Sequence, residues 1–420
     1  MGFREHPLRR QVVGEMHLRR WPALRAPMVV IQVLRLVDEP TRLAERAVLG
    51  NGVATLEPSD NPRHCQGVIA GVPFVWEAHS EASGLTLFVD SLAIGPDFDR
   101  HPALDWAAAF PGETLRATRI AIVGSEAEAE AMLPTIGFVD SDMVSCHLGD
   151  QAIGRVRIWS DFRIGAGGFG HLLIAAPDLA PGDLSRLVQR LQELGNYRNL
   201  ALMGLPVAQA AWGELGGIEQ ALSELANEVA RPDVTDDMLL DHVSALSLDL
   251  MALSTRGGFR MSATQAYARL VEERLDDCAP RAIAGYPSLT DFTQRRLLPA
   301  VRTCSAHVRR VDELSQRADR FAALLRTRIE TRIENQNARL LESMERSSSL
   351  QLRLQQLVEG LSVVALSYYG IGLIGTMLKA AEHANPRIDA ALWIGGLVPV
   401  VTGGMWWGLH RMKHRLLGRH

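Results

Sequence analysis

Between Met28 and about Pro177 the apolar residues come in short runs rich in β-branched side chains, separated by Gly, Pro and Asp clusters. Such runs predict strands, here Met28–Leu36, Val68–Ala78, Leu85–Ala93, Arg116–Val123, Val144–Leu148, Ile153–Phe162 and Phe169–Ala175. Helical spacing fits Thr41–Leu49 and Ser125–Leu133 between them. After Pro181 the period lengthens: Asp183 to Ala230 reads as helix interrupted at Pro206, and Asp236–Leu253 and Phe259–Asp277 read as two further helices. From Ser288 to the first of two apolar segments near the C-terminus, Pro299 is the sole proline and glycine is nearly absent. Residues 300 to 378 therefore predict one helix, on the order of 120 Å long at 1.5 Å per residue.

Two segments near the C-terminus, 361–378 and 390–409, carry no formal charge and have no polar face. Each has the length that crosses a hydrocarbon core of about 30 Å as a helix. Trp393, Trp406 and Trp407 stand near the ends of the second, where interfacial indoles are favoured, and Pro399 predicts a kink there. The link between the segments, Lys379 to Asp389, is short and carries both signs, whereas Arg411, Lys413, Arg415 and Arg419 follow the second and Arg339, Arg346 and Arg353 precede the first. The positive-inside bias puts both termini in the cytoplasm. Gly370 and Gly375 in the first segment and Gly404 and Gly408 in the second are small residues of the kind that let helices approach closely in lipid.

The helix leading to the first segment has an apolar seam: Leu325, Ile329, Ile333, Leu340, Met344, Leu354 and Val358 follow three-and-four spacing. Gln336, Ser347 and Gln351 fall on the same stripe, where a plain coiled coil would carry leucine. Two readings follow: a helix packed on its own domain with tolerated polar positions, or a parallel bundle about a symmetry axis with polar layers that set register. Glu359 stands at the mouth of the first segment, and a ring of such carboxylates would concentrate cations; a carboxylate solvated by headgroup water is the plainer alternative.

The expected fold class is thus an α+β cytoplasmic domain, followed by a long helical stalk and a C-terminal two-helix transmembrane hairpin. The divisions are a mixed α/β domain over 1–180, a helical domain over 181–288, the stalk over 289–360, the two spans over 361–409 and a basic tail over 410–420. A chain of 420 residues with 47% hydrophobic and 22% charged residues can bury a sizeable core. Its net charge of −4 provides no global basic field, so nucleic acid is not an expected partner. Residues Met1 to Arg20 are charged, broken by Pro7 and lack an apolar h-region, so a secretory signal is not expected.

Familiar chemistry is missing from the spacing. Cys65, Cys146, Cys278 and Cys304 are far apart, which predicts buried inert thiols rather than a disulfide framework or a zinc site. Gly165–Gly170 is glycine-rich, but strand-like runs flank it on both sides and no helix opens after it, so a hairpin turn is expected and not a phosphate loop. His6, Glu15 and His17 are disfavoured as metal ligands by the arginines around them, and Asp97 and Asp99 read as a solvated loop pair. No nucleophile–base arrangement emerges, and the chain is not expected to be an enzyme. No cofactor is expected; a divalent cation is the one ion left open.

Several blocks carry a resemblance to a known family: HPLR (6–9), EMHLRRWPAL (15–24), WSDFRI (159–164), LVQRLQELGNYRNLALMGLP (187–206), FRMSATQAYARLVEERL (259–275) and the long block from Arg326 to Tyr369. On these the chain resembles an uncharacterised family of bacterial membrane-anchored proteins grouped as a domain of unknown function, some members of which bear an egg-lysin label. Two spans and a cytoplasmic N-terminus do not fit a secreted lysin. Residues 290 to 420 are also similar in layout to CorA-type divalent-cation channels, pentamers with a cytoplasmic α/β domain, a stalk helix that becomes the first span, a short outer loop and a basic tail. The Gly-Met-Asn signature that ends the first span in that family is absent; Thr376-Met377-Leu378 stands there instead, so that filter is not carried over.

Two functions follow as expectations. One is a homo-oligomeric bacterial inner-membrane channel or transporter for cations, with Glu359, Ser362, Ser367 and Thr376 as candidate pore-lining groups and the cytoplasmic domain as its sensor. The other is a membrane-anchored scaffold or sensor without transport, partnered by the lipid bilayer, by other copies of itself and by a cytoplasmic protein.

Overall fold

The computed structural model describes residues 4, 6–9, 12–13, 21–50, 55–57, 61–90, 101–149, 155–231, 233–384 and 390–417. Glu15, His17, Asp97, Asp99, the ends of two expected strands (91–93 and 153–154) and part of the link between the apolar segments lie outside these residues. The chain divides into two compact units, Met1–Ala322 and Ala323–His420.

The first unit is built on a mixed sheet. In chain order its elements are β1 (Met28–Leu36), α1 (Glu39–Gly50), β2 (Thr55–Leu56), β3 (His64–Ile69), β4 (Val72–Ala78), β5 (Ala82–Val89), α2 (Pro102–Ala108), β6 (Glu113–Val123), α3 (Glu126–Ile136), β7 (Val144–Leu148), β8 (Val156–Ser160) and β9 (Gly170–Ala175). Three helices follow, α4 (Pro181–Leu202), α5 (Gly204–Glu228) and α6 (Asp236–Cys278), then β10 (Arg281–Ala282) and the start of α7 (Leu289–Ala384). The strand order is β10-β7-β8-β9-β6-β1-β5-β4-β3-β2. Neighbours are antiparallel except β6 and β9, which pair in parallel from Thr118↔Gly170 to Val123↔Ala175. A parallel pair needs a crossover, and here α3 and the β7–β8 hairpin provide it.

Strand β1 lies at the centre and is buried along almost its whole length. Its side chains alternate between two cores. Met28, Val30 and Leu34 join Ile120 and Ile122 of β6 under α4 and α6. Val29 and Ile31 join Phe74, Trp76, Leu85 and Leu87, covered by Leu49 of α1 and by Ala103 and Ala107 of α2. A third cluster, also served by β6, packs Ala121, Val123, Trp159 and Leu173 against Met132, Leu133 and Ile136 of α3. The period of two along each strand thus distributes one sheet between two covered faces.

Most expected elements are present, with informative differences. The run Val68–Ala78, expected as one strand, spans a hairpin turn: Ala70 (φ 48°) and Gly71 (φ 81°) turn the chain between β3 and β4. The interruption expected at Pro206 falls instead at Met203, and Pro206 sits in the first turn of α5, where a missing N–H costs nothing. The two helices expected over 236–277 are one, α6, of 43 residues. Gly257 and Gly258 do not break it; Gly257 packs against His307 and Val207, and tertiary packing outweighs the weak helix propensity of glycine. The short helix α2, opened by Pro102 behind the His101 cap, and β10 add to the expected elements.

The long helix was expected over 300–378 and runs further, from Leu289 to Ala384. In the second unit its residues from Glu330 to Val358 are all exposed. Helix α8 (Ala390–Leu417) follows. The Cβ position of Gly370 lies 3.7 Å from Val401 Cγ1 and that of Gly375 lies 3.4 Å from Ile394 Cδ1. The contacts advance along α7 as they retreat along α8, so the two helices lie side by side and antiparallel.

Candidate functional site

The most distinctive chemistry of the first unit is a layer of buried and half-buried polar side chains between β6 and α4. On β6, alternate residues Arg116, Thr118, Ile120 and Ile122 point toward α4, so a cation is carried on the face that goes on to form the apolar core. On α4, Leu191, Gln192, Leu194, Gly195, Asn196 and Arg198 recur at helical spacing and are buried together. Arg116 Nη1 donates to the amide oxygens of Gln192 (2.6 Å), Asn196 (3.0 Å) and Gln32 (3.3 Å). Asn196 Nδ2 donates to Gln32 Oε1 (3.0 Å), Gln192 Nε2 donates to Thr118 Oγ1 (3.0 Å), and Gln32 Nε2 donates to Thr86 Oγ1 (3.1 Å). The guanidinium is thus solvated by neutral amides in place of water.

Gly195 makes room for it. A Cβ there would lie 2.5–2.8 Å from Nη2, Cζ and Nε of Arg116, closer than any real contact. Gly195→Ala must therefore displace a guanidinium held by three oxygens. We expect a loss of about 1–3 kcal/mol of stability, the usual cost of overpacking a filled interior, read from the urea midpoint of unfolding.

Arg198, two turns from Leu191 on the same face of α4, is only 9% exposed. Its guanidinium carbon lies 4.6 Å from the ring centroid of Phe162 and 5.1 Å from that of Phe292, two rings stacked 4.3 Å apart. Phe162 holds this position with a φ of 52°, the left-handed region that a bulky residue rarely enters. Burial pushes Arg198 down to about 10, and burial together with the positive charge of Arg198 pushes Arg116 down to about 9. No carboxylate of the described residues forms an ion pair with either guanidinium.

Both arginines line a cavity of about 180 Å³ between the sheet and α4. Leu115, Ile158, Leu172, Leu191, Leu194 and Leu289 supply its apolar wall, and Ser160, Asn199 and His171 add polar atoms. The segment 161–170 forms its rim. There Gly165 N donates to Phe169 O (2.9 Å), Gly168 N donates to Gly165 O (2.9 Å), and Ile164 bridges Gly170, so the glycine-rich stretch is the hairpin turn its spacing predicts. Arg163 at the rim pairs with Asp142 and is thereby neutralised. On the opposite face of the sheet Arg119, over the ring of Phe169 at 4.3 Å, and Arg35 border a wider hollow in which Asp105 supplies a carboxylate. The pocket beside α4 has no such internal compensation.

The residues singled out by sequence lie in the second unit. Ser362 Oγ donates to Val358 O (2.8 Å) and Thr376 Oγ1 to Leu373 O (2.7 Å), bonds that return each hydroxyl to its own helix. Ser367 is 4% exposed, and its hydroxyl has no hydrogen-bond partner among the described residues. Glu359 is half-buried, and Gln336, Ser347 and Gln351 are exposed. Gly370 and Gly375 face α8, whereas nothing among the described residues comes within 4 Å of a Cβ placed at Gly404 or Gly408. The thiols of Cys146, Cys278 and Cys304 are buried and pushed up by burial, Cys65 is half-buried, and all four are free. Within the described residues no group of His, Cys, Asp and Glu is arranged to hold a metal ion.

The first unit thus carries a cationic cavity, and the long helix ends in a stretch long and apolar enough, by length and composition, to cross a bilayer. The chain belongs to the family described as "Protein of unknown function (DUF3422)", which matches it over residues 4–416. No curated protein matches the chain.

Proposed function

We propose that this protein is a membrane-anchored sensor or scaffold, tethered to the bacterial inner membrane by α7 and α8 as a two-helix transmembrane hairpin with both termini in the cytoplasm. One observation carries the reading: over 361–378 and 390–409 the two helices carry no charge and expose large apolar side chains. Leu361 (72% exposed), Leu373 (68%), Leu392 (75%) and Val400 (70%) lie on the outside of the pair. In water such surfaces would aggregate; in lipid they are matched to their solvent, and the helices satisfy every backbone group internally. The seam Ile333, Leu340, Met344, Leu354 and Val358 is likewise exposed along α7 and is suited to burial against other copies of the chain. Neither Ser362 nor Thr376 needs a water-filled pore to satisfy its hydroxyl, which favours a tether over a conduit.

Membrane fractionation followed by flux measurement tests this. The full chain is expected to stay with membranes through alkaline carbonate extraction, to need detergent for release, and to run in detergent as a homo-oligomer. Proteoliposomes are expected to pass no ions under divalent or monovalent gradients. Release by carbonate as a dissolved monomer removes the anchor, and a sustained cation flux moves the function to conduction, the CorA-like alternative.

A further inference from the structure

We propose that the cavity between β6 and α4 is a binding site for a small organic carboxylate, whose acidic head sits at Arg116 and Arg198 and whose short apolar body rests on Leu172, Leu191 and Leu194. The argument begins with charge. A buried cation is retained only when something compensates it. Arg116 has amide oxygens on one nitrogen, and Arg198 has aromatic faces and no hydrogen-bond acceptor among the described residues. Two guanidiniums close enough to repel, inside one cavity and without a carboxylate of their own, leave a net positive site that a bound anion completes.

The shape and the donors select the class of anion. The planar fork of a guanidinium matches a carboxylate with two parallel hydrogen bonds. Phosphate sites commonly add backbone N–H groups at a helix N-terminus; here the pocket lies along the C-terminal half of α4, from Leu191 to Asn199 in a helix that begins at Pro181. The cavity, about 180 Å³, is only a little larger than the roughly 150 Å³ that accommodates a benzene ring. A single ring or a chain of a few carbons with one carboxylate fills it, and the leucine wall excludes a strongly hydrated ion of the same charge.

The test uses the full-length protein in detergent, with calorimetric titration of benzoate and hexanoate, and of benzamide, inorganic phosphate and chloride as comparisons. Benzoate or hexanoate is expected to saturate one site per chain, benzamide and chloride to show no saturation, and inorganic phosphate to bind more weakly. Arg198→Met keeps the apolar stem on the two rings and removes the charge; it is expected to weaken benzoate roughly ten- to hundred-fold, the worth of a charged hydrogen bond. Ile164→Asp places a negative charge at the rim on a side chain that is 80% exposed, so folding tolerates it, and benzoate affinity is expected to fall several-fold. The Ile164 variant decides the matter if Arg198→Met does not fold. Absence of saturable binding of both carboxylates up to about 10 mM, tighter binding of inorganic phosphate, or benzoate binding unchanged in both variants overturns the proposal. The site lies wholly within Met1–Ala322, so its failure and the failure of the membrane anchor are separate results.

Discussion

Trp159→Ala is expected to destabilise the first unit by about 3–5 kcal/mol, the range for removing a large aromatic side chain from a core that collapses only in part. Trp159 is fully buried and fills the space between β6, β9 and α3, touching the cluster of Ala121, Val123, Met143 and Leu173. The cluster is closed by Met132, Leu133, Ile136 and Phe138 along its α3 side, and none of these side chains has the volume of an indole. The Arg157 guanidinium also lies 4.5 Å from its ring and is held there by Glu126 (2.9 Å) and Glu130 (3.4 Å). Loss of the ring removes a cation–π contact on top of the cavity term. Urea unfolding monitored by far-UV circular dichroism checks this. A shift in stability below about 1 kcal/mol would mean that Trp159 does not hold α3 to the sheet.

Leu373→Arg is expected to shift the chain out of the membrane. Leu373 lies on α7 within the uncharged segment 361–378 and is 68% exposed. In hydrocarbon an arginine there costs about 2.5–3.5 kcal/mol on insertion-based scales, more than an order of magnitude in the inserted fraction. In water the same exposed position would tolerate arginine within about 0.5 kcal/mol. The two environments therefore give opposite outcomes, and the measured quantity is the fraction of chain resisting carbonate extraction relative to the parent. Leu324→Arg, at an exposed position in the charged part of α7, is the matched control and is expected to leave that fraction unchanged.

The sequence made the strands legible where β-branched residues ran uninterrupted, as in Met28–Leu36 and Val144–Leu148, and the helices legible where the apolar period held. It failed where one short polar-poor turn sat inside an apolar run. Ala70–Gly71 is flanked by Val68, Ile69, Val72 and Phe74, so a hairpin looked like one strand. It failed again at Gly257–Gly258, because local propensity does not report the neighbouring helix that holds a glycine in place. The arginine pocket is harder to see in the sequence. Among so many arginines, Arg116 and Arg198 look like ordinary surface cations. A signal was nevertheless present: Arg116 keeps step with Thr118, Ile120 and Ile122 along β6, and Arg198 keeps step with Leu191 and Leu194 along α4, so each stands in an apolar stripe. Periodicity read for its exceptions would have found both.

A strand that is greasy on its two sides has a particular difficulty, and β1 shows how it is resolved. Sliding it by one residue against its neighbours would still present valines, leucines and isoleucines to either core, so oiliness alone cannot choose an alignment. The two interior polar side chains can. Gln32 is correct only when its amide meets Asn196 and Arg116, and Arg35 only when its guanidinium reaches the carbonyl of Ala107 on the opposite side. A misthreaded strand would strand both at once, so the innermost ribbon of the sheet owes its single alignment to its two least oily members.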